Sequence, residues 1–576
     1  METTPIALPA KRSRVFVKDN ISINAWSDIE LYFKNLLERN INSLSDLEKW
    51  MRDRSELEAF VSEDLGWRYI RMTCDTDDAK LLESYQNFVT AIEPKIAPYS
   101  NDLNKKLIAS PFLSQLSKEK YHIYIRGAKK SLEIFRDENI PLFSEIQTKQ
   151  QHYASITGAM TIEWEGNEIT MQQASLLLKD LNRTKREKAY QLIIARREKD
   201  ATQLNNLFDE LLQLRHKVAL NAGYSNFRDY MFDAMGRFDY TPQDCFNFHQ
   251  SIKNAILPIE ESIDYARKKE LKLSALKPWD MDVDTSGKPP LKPYSDAKDL
   301  VSKTIKCFSE LNPYFGECIE TMEQMHYLDL DSRKGKAPGG YNYPLYEVGV
   351  PFIFMNSVGS HRDMVTMLHE GGHAIHSFLT HDLELTDFKS FPSEVAELAS
   401  MSMELISMEH WELFFADKDE LRRAKQEQLE QVLSTLVWVA TIDKFQHWIY
   451  ENPTHTVEQR TEAWLTIIDQ FGSKIIDWTG CETARANMWL KQLHIFEVPF
   501  YYIEYGMAQL GAIAIWRNYK QNPAKAVQDY TSALKLGYTK SIGEIYKTAG
   551  ISFDFSENYV RELAAFVKQE LDSISN

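Results

Sequence analysis

The chain has 576 residues, of which 43% are hydrophobic and 26% charged, and its formal net charge is −16. This composition is typical of a globular protein. The acidity argues against a nucleic-acid partner and against binding to anionic membranes, because both need clustered Lys and Arg. Five scattered cysteines without a CxxC pair favour reduced thiols and therefore a cytoplasmic protein.

Helical patterns dominate the chain. Apolar residues recur three and four positions apart, as in amphipathic helices. The first twenty residues have no apolar core of signal-peptide length, and no apolar run is long enough to cross a bilayer. The segment 184–223 is long enough to hold more than one helix. The predicted helical stretches are 45–65, 77–96, 184–223, 242–270, 296–312, 418–450, 457–472, 523–536 and 556–573.

Strand-like segments are few and local. The segment 160–171 predicts a hairpin around Glu165-Gly166-Asn167. The segment 324–357 is rich in Pro, Gly and aromatics, and its "PFIFMN" predicts a strand shortly before a histidine-rich stretch. The Pro- and Asp-rich segment 273–298 predicts a surface loop. The expected fold class is mainly α with a small β insertion.

The histidine-rich stretch contains an HExxH motif at 369–373. His369 and His373 are four residues apart, so on a helix both imidazoles reach one cation. Glu370 lies about 100° around the helix and flanks the metal instead of binding it. This geometry suits a general base acting on water that a zinc ion activates.

The helix that carries this motif is predicted over about 361–380. Ser360 followed by Asp363 is a plausible N-terminal capping pair. Gly371 and Gly372 weaken the helix by roughly 1 kcal/mol each relative to Ala. We interpret Gly372 as room for close packing against a second helix. Gly371 either widens the site beside the zinc or loosens the helix.

A catalytic zinc needs a third protein ligand. His376 lies on the same helical face, but three ligands on one face fit a tetrahedral ion poorly, so we predict a contact of His376 to a ligand or to substrate. The next helix offers Glu394, Glu397 and Glu404. Glu397 and Glu404 share a face, and the helical angle alone leaves Glu394 possible.

These segments resemble the oligoendopeptidase F and thimet oligopeptidase family of zinc metallopeptidases. The resemblance is carried by "HEGGHAIHSF" and "PSEVAELASMSMEL", and it extends to "DSRKGKAPGGY" before the motif and "HIFEVPFYYIEYGMAQLGA" after it. It covers roughly 120–570, is strongest over 330–512, and is closest to the oligoendopeptidase F branch.

The resemblance implies a fold and an activity. The expected fold is a two-lobed, mainly helical shell around a deep channel, with a small sheet beside the zinc helix. The expected regions are an N-terminal helical region (1–115), a helical lobe segment with the hairpin (116–195) and the catalytic domain (196–576). The expected activity is hydrolysis of internal bonds of short, unfolded oligopeptides with one zinc ion.

The resemblance also assigns site residues. It places the third zinc ligand at Glu397 and a supporting carboxylate at Glu404. A histidine and tyrosines of the C-terminal stretch would stabilise the oxyanion, first His494 and Tyr505, then Tyr502 and Tyr501.

Residues before the motif could contact the substrate. Gly340, like its neighbour Gly339, would allow a peptide to approach the backbone, and Tyr341 would contact it. The predicted strand "PFIFMN" either pairs with an extended substrate at a sheet edge or is an internal strand.

Two other functions are compatible with the motif. One is an HExxH zinc carboxypeptidase on a related helical fold. The other is a non-catalytic scaffold with an inert zinc site, against which the intact Glu370 argues.

Overall fold

The computed structural model describes residues 9, 13–333, 335–337 and 339–575. Helices predominate, and two small sheets are present, which confirms the predicted fold class. Within these ranges, none of the helices combines the length and the apolar character that a membrane-spanning segment needs.

The first part of the chain is a helical layer. Its long second helix begins at Leu44, directly after Ser43, whose side chain accepts a hydrogen bond from the Asp46 backbone N–H and so caps the helix. A π-helical turn lies at Phe88–Ile92 and a 3-10 turn at Leu113–Gln115. The helices are α1 (Ser27–Glu38), α2 (Leu44–Cys74), α3 (Ala79–Asn87), α4 (Glu93–Ile108), α5 (Lys118–Ile134) and α6 (Asn139–Gly158).

The predicted hairpin follows this layer. Strands β1 (Thr161–Trp164) and β2 (Asn167–Thr170) pair antiparallel in the register Trp164 to Asn167. The turn residues Glu165 and Gly166 both have positive φ, as a two-residue hairpin turn of the type I′ class requires.

The middle of the chain returns to helices. Segment 184–223 forms one long helix and not two. Segment 242–270 divides into two helices, because Pro258 at the start of the second has no N–H to continue the first. Short 3-10 turns lie at Leu177–Lys179 and Pro278–Asp280. The helices are α7 (Met171–Leu176), α8 (Arg183–Asn221), α9 (Phe227–Ala234), α10 (Pro242–Ala255), α11 (Leu257–Glu270), α12 (Ala297–Leu311) and α13 (Pro313–Gln324).

The second sheet has three strands in the order β3-β5-β4, formed by β3 (Leu328–Asp331), β4 (Tyr341–Tyr343) and β5 (Phe352–Ser357). Strand β5 pairs parallel with β3 and antiparallel with β4. Of the two alternatives for the "PFIFMN" strand, the internal strand is therefore confirmed and the free sheet edge is wrong. Its buried pattern fits an internal strand, since it has neighbours on both sides.

The last part of the chain is again helical, with 3-10 turns at Met408–Leu413 and Met488–Lys491. Its helices are α14 (His361–Thr380), α15 (Thr386–Lys389), α16 (Ser393–Ser407), α17 (Lys418–Glu451), α18 (Val457–Phe471), α19 (Glu482–Ala486), α20 (Leu493–Glu497), α21 (Tyr502–Gln521), α22 (Pro523–Leu534), α23 (Ile542–Thr548) and α24 (Glu557–Ser575).

Two hydrophobic clusters stabilise the molecule. The smaller one takes its buried residues from 17–128, together with Leu385 directly before α15 and Phe388 within it. The larger one runs from Ile70 to Leu571 and contains α14, α16 and α21. Helix α16 packs between α14 and α21. The domain boundaries at 115 and 195 stay a prediction.

The two glycines of α14 are sites of close helix packing. A Cβ on Gly372 would lie 2.6 Å from the Ser400 Cα, so the missing side chain lets α14 approach α16, as expected. A Cβ on Gly371 would lie 2.6 Å from Phe308 Cε2. Gly371 therefore accommodates α12, and the expectation that it widens the site is wrong.

Candidate active site

The two motif histidines lie one turn apart on α14. The helix begins with a reciprocal capping box between Ser360 and Asp363, which fixes its first turn. His369 Nε2 and His373 Nε2 lie 3.3 Å and 3.6 Å from Glu397 Oε2 on α16. The three donor atoms lie within 4.8 Å of one another, so α14 and α16 bring a His-His-Glu set to one point.

Both oxygens of Glu397 are held. Tyr501 donates its hydroxyl hydrogen to Glu397 Oε1 at 2.8 Å, and Ser400 donates to Oε2 at 3.0 Å. Glu394 lies elsewhere: its carboxylate accepts from the Tyr240 hydroxyl at 2.5 Å and faces Arg237. The structure thus brings Glu397 to the histidines, and not Glu394.

Glu404 orients the first histidine. Its Oε1 lies 2.6 Å from His369 Nδ1, and its Oε2 accepts from the Gln428 amide at 2.8 Å. With Nδ1–H donated to a carboxylate, His369 Nε2 presents a lone pair toward Glu397. This is the arrangement by which metal-binding histidines are oriented in proteins.

Glu370 is a buried carboxylate beside this set. It is 7% exposed, and burial raises its pKa to about 7. The Asn342 side chain of β4 donates to the Glu370 backbone carbonyl at 3.3 Å, which joins the sheet to α14. A carboxylate with a pKa near neutrality suits proton transfer in both directions.

His494 is held as a neutral hydrogen-bond donor. Trp438 Nε1–H donates to Gln492 Oε1 at 2.9 Å, so the Gln492 amide nitrogen must face His494 Nδ1, 2.8 Å away. Nδ1 therefore accepts, and the proton lies on Nε2. Burial lowers the pKa of His494 to about 4, so the ring is uncharged at neutral pH.

The three predicted tyrosines surround His494. The Tyr505 hydroxyl lies 3.5 Å from His494 Nε2, and the Tyr502 ring meets the imidazole edge-on at a centroid distance of 4.8 Å. Tyr501 stacks on the same imidazole at 6.0 Å while it donates to Glu397. The Tyr505 hydroxyl and His494 Nε2 thus lie next to each other, whereas the Tyr501 hydroxyl donates to Glu397.

An unusual backbone conformation presents Tyr501. Phe500 has φ of 69°, in the left-handed region that costs a non-glycine residue energy. Its N–H donates to Gln446 Oε1 at 2.7 Å, and its carbonyl accepts from the Arg237 guanidinium, which also pairs with Glu504 at 2.7 Å. These buried contacts hold the turn that starts α21.

Three other residues that the sequence predicted for the site lie next to it and not among its central side chains. His376 is fully buried and stacks on Phe391 at a ring-centroid distance of 3.5 Å. Tyr341 stacks on Phe354 at 4.8 Å and shares a 2.6 Å hydrogen bond with Thr73. A Cβ on Gly340 would lie 3.3 Å from the Phe354 carbonyl oxygen, so this glycine faces β5.

Sequence reasoning missed the residues that hold the site from outside. Gln428 and Trp438 lie on α17, Gln492 precedes α20, and Asn342 lies on β4. Each is a neutral polar residue whose partner is distant in sequence. No spacing rule singles them out. Gln492, two residues before His494, is the exception that a local search could have found.

A helix with two histidines one turn apart, a buried glutamate between them and a carboxylate from a neighbouring helix define the site of a metallopeptidase. The comparisons agree. The model of the peptidase family M3 matches residues 176–565, and that of the peptidase M3 N-terminal domain matches residues 20–135.

Individual relatives point to one branch. An oligoendopeptidase F homolog of Borreliella burgdorferi is 24% identical over 78% of this chain and 74% of its own length. One from Lactococcus lactis subsp. lactis is 22% identical over 86% of each chain. The solved structure of Pz peptidase A with an inhibitor superposes with a TM-score of 0.90 at 26% identity, covering 97% of this chain and 99% of that one.

The chain belongs to peptidase family M3, in the oligoendopeptidase F branch, and is a metalloendopeptidase. The predicted family is confirmed. The carboxypeptidase and scaffold alternatives do not agree with it.

Proposed function

We propose that this metalloendopeptidase hydrolyses internal bonds of short, unfolded oligopeptides with one zinc ion bound by His369, His373 and Glu397. The observation that carries the proposal is the convergence of these three side chains on one point. The names of the relatives support the oligopeptide substrate. We also propose a cytoplasmic location, which the five free thiols support.

The donor set fits zinc. A tetrahedral zinc with bonds of about 2.0–2.1 Å holds neighbouring donor atoms about 3.3–3.4 Å apart. The distances of 3.3 Å and 3.6 Å from Glu397 Oε2 to the two Nε2 atoms match this spacing. Two imidazoles and one carboxylate are the ligands of many hydrolytic zinc sites, and the Glu404 contact to His369 supplies the outer support.

Glu370 would be the general base. When bound, zinc would act as a Lewis acid on the attacking water and the scissile carbonyl. Glu370 takes a proton from that water and later gives one to the leaving amine. Its burial keeps competing water away and its raised pKa makes the return of the proton possible.

His494 and Tyr505 would stabilise the oxyanion. The Nε2–H of His494 and the Tyr505 hydroxyl are neutral donors near one point, and preorganised donors of this kind favour developing negative charge. Tyr501 would instead hold Glu397 in position, because its hydroxyl hydrogen is already donated to that carboxylate. Tyr502 would pack against His494.

Strand β4 would bind the substrate backbone. It is one of the two edge strands of the three-stranded sheet in the described part of the chain, and Asn342 links it directly to the Glu370 turn of α14. An extended peptide can add to such an edge through main-chain hydrogen bonds. Gly340 and Tyr341 lie at the start of that edge.

An internally quenched peptide with both termini blocked tests the activity. We expect the zinc-loaded chain to cleave it, and Glu370→Gln to cleave it at least 100-fold more slowly. Cleavage that requires a free terminus, or that persists after zinc removal, would contradict the proposal. A folded protein substrate serves as the control and should remain intact.

A further inference from the structure

A second cluster of side chains that can bind a metal lies between α10 and α17 and shares no residue with the set of His369, His373 and Glu397. Cys245 and His249 are four residues apart on α10, and Asp443 and His447 are four residues apart on α17. Residues at this spacing share a helical face, and the two helices pack against each other. The donor atoms of Cys245, Asp443 and His447 lie within 4.8 Å of one another.

The cluster is buried and incompletely hydrogen-bonded. Cys245 and Asp443 are 0% exposed and His447 is 1% exposed. Asp443 Oδ2 lies 2.8 Å from His249 Nε2, but within the described residues Asp443 Oδ1 and both ring nitrogens of His447 have no hydrogen-bond partner. His447 Nε2 lies 3.3 Å from Asp443 Oδ2 without the geometry of a hydrogen bond. Buried polar atoms left in this way are costly.

We propose that Cys245, Asp443 and His447 bind a structural divalent cation of the zinc class. A thiolate, an imidazole and a carboxylate are all zinc ligands. The cation would satisfy the unpartnered atoms of Asp443 and His447. His249 is a positioning residue, since it holds Asp443 Oδ2 and leaves Oδ1 for the ion.

The burial of the cluster indicates a structural ion and not a catalytic one. The imidazole of His447 lies among aromatic rings, 4.7 Å from Phe246 and 5.5 Å from Phe500 by centroid distance. Substrate has no access to side chains with so little exposure. An ion here would join α10 to α17 next to Phe500. The Phe500 N–H donates to Gln446, the neighbour of His447.

The charge balance also favours a cation. Asp443 is a fully buried carboxylate, and within the described residues its Oδ1 has no hydrogen-bond partner. A divalent ion would neutralise the Asp443 carboxylate and would displace the proton of the Cys245 thiol on binding. Without an ion, the cluster would be an Asp–His pair with His447 as a packing residue.

Measurement of the metal content distinguishes a cluster that binds an ion from one that does not. In the full chain carrying His369→Ala and His373→Ala, the active-site ligands are gone, and we expect about one equivalent of zinc to remain after dialysis. Adding Cys245→Ser should remove it, and adding Cys307→Ser should not, because Cys307 is buried on α12 outside the cluster. No zinc in the His369→Ala/His373→Ala chain would overturn the proposal.

Cobalt spectra supply a test that needs no variant. The active site has no cysteine, so a thiolate-to-cobalt charge-transfer band in the cobalt-loaded wild type would report this cluster. We expect the band to be present, to survive Cys307→Ser and to vanish in Cys245→Ser of unchanged circular dichroism. Absence of the band in the folded wild type would refute the second site, and the peptidase proposal would be unaffected.

Discussion

The Tyr501 hydroxyl donates to the Glu397 carboxylate at 2.8 Å, which ties the residue before α21 to the proposed third zinc ligand on α16. Ser400 holds the other oxygen. These two hydrogen bonds fix the orientation of the Glu397 carboxylate. One of them comes from Tyr501, which is distant from Glu397 in sequence.

Tyr501→Phe removes this contact and keeps the ring. Because outer hydrogen bonds orient metal ligands, we expect kcat/KM and zinc affinity each to fall about 10- to 100-fold. Steady-state kinetics and zinc competition with a chelator measure the two effects. Tyr519→Phe on the same helix is the control, since it removes a hydrogen bond to His410 far from the ligands. Equal zinc affinity in Tyr501→Phe and wild type would contradict the assigned role.

Glu370→Gln keeps the size of the side chain and removes the base. We expect kcat to fall by about 10²–10⁴ while zinc content stays at the wild-type level. Glu404→Gln is the informative comparison, since it changes the outer contact to His369 and should lower zinc affinity as well. A Glu370→Gln chain that loses zinc would mean that Glu370 binds the metal.

His494 makes stability depend on pH. Its pKa is about 4 in the folded chain and about 6.5 when exposed, because burial disfavours the charged ring. The unfolded chain therefore binds a proton first as pH falls. The contribution is fully present above pH 6.5 and is lost between about pH 6.5 and 4, up to about 3 kcal/mol.

Denaturant unfolding of wild type and His494→Gln over this pH range measures the effect. We expect the free energy of unfolding of the wild type to fall more steeply toward acid than that of the variant. If the free energies of unfolding of the wild type and of His494→Gln changed with pH in parallel, His494 would not be held neutral in the folded chain. His122, an exposed histidine on α5, provides the matched control variant His122→Gln.

Gly372→Ala tests the approach of α14 to α16. The added methyl would lie 2.6 Å from the Ser400 Cα and 2.8 Å from the Ala399 carbonyl oxygen, and backbone atoms do not yield easily. We expect a loss of about 1–3 kcal/mol in stability, together with lower zinc affinity. Gly127→Ala on α5 is the control: it meets nothing within 4 Å and should stabilise the chain by up to about 1 kcal/mol. A Gly372→Ala variant with unchanged stability and zinc affinity would argue against close packing of α14 on α16.

Local chemistry explains what the sequence could predict. The helix over about 361–380 and the hairpin follow from capping, periodicity and turn residues that are adjacent in the chain. The convergence of His369 and His373 follows from helical spacing. Glu397 needed the family resemblance, because helical angles alone left Glu394 possible.

The rest depends on tertiary packing. Strand β5 was expected either at an edge or inside a sheet, and its place depends on β3, which no local pattern positions. Gly371 was expected either to widen the site or to loosen the helix, but its contact with Phe308 of α12 decides its role. The donor state of His494 depends on Trp438, more than fifty residues earlier, through Gln492.

The short helix α15 lies between the two halves of the ligand set, after α14 and before α16. Its Phe388 and the preceding Leu385 belong to the smaller hydrophobic cluster, and Thr386 donates two hydrogen bonds to Ser55 of α2, from its N–H to Ser55 Oγ at 2.7 Å and from its hydroxyl to the Ser55 carbonyl at 2.9 Å. The N-terminal helices therefore contact α15, the segment that connects the helix of His373 to the helix of Glu397. A chain cut down to residues 176–565 would lack these contacts, and we expect it to bind zinc more weakly than the full chain.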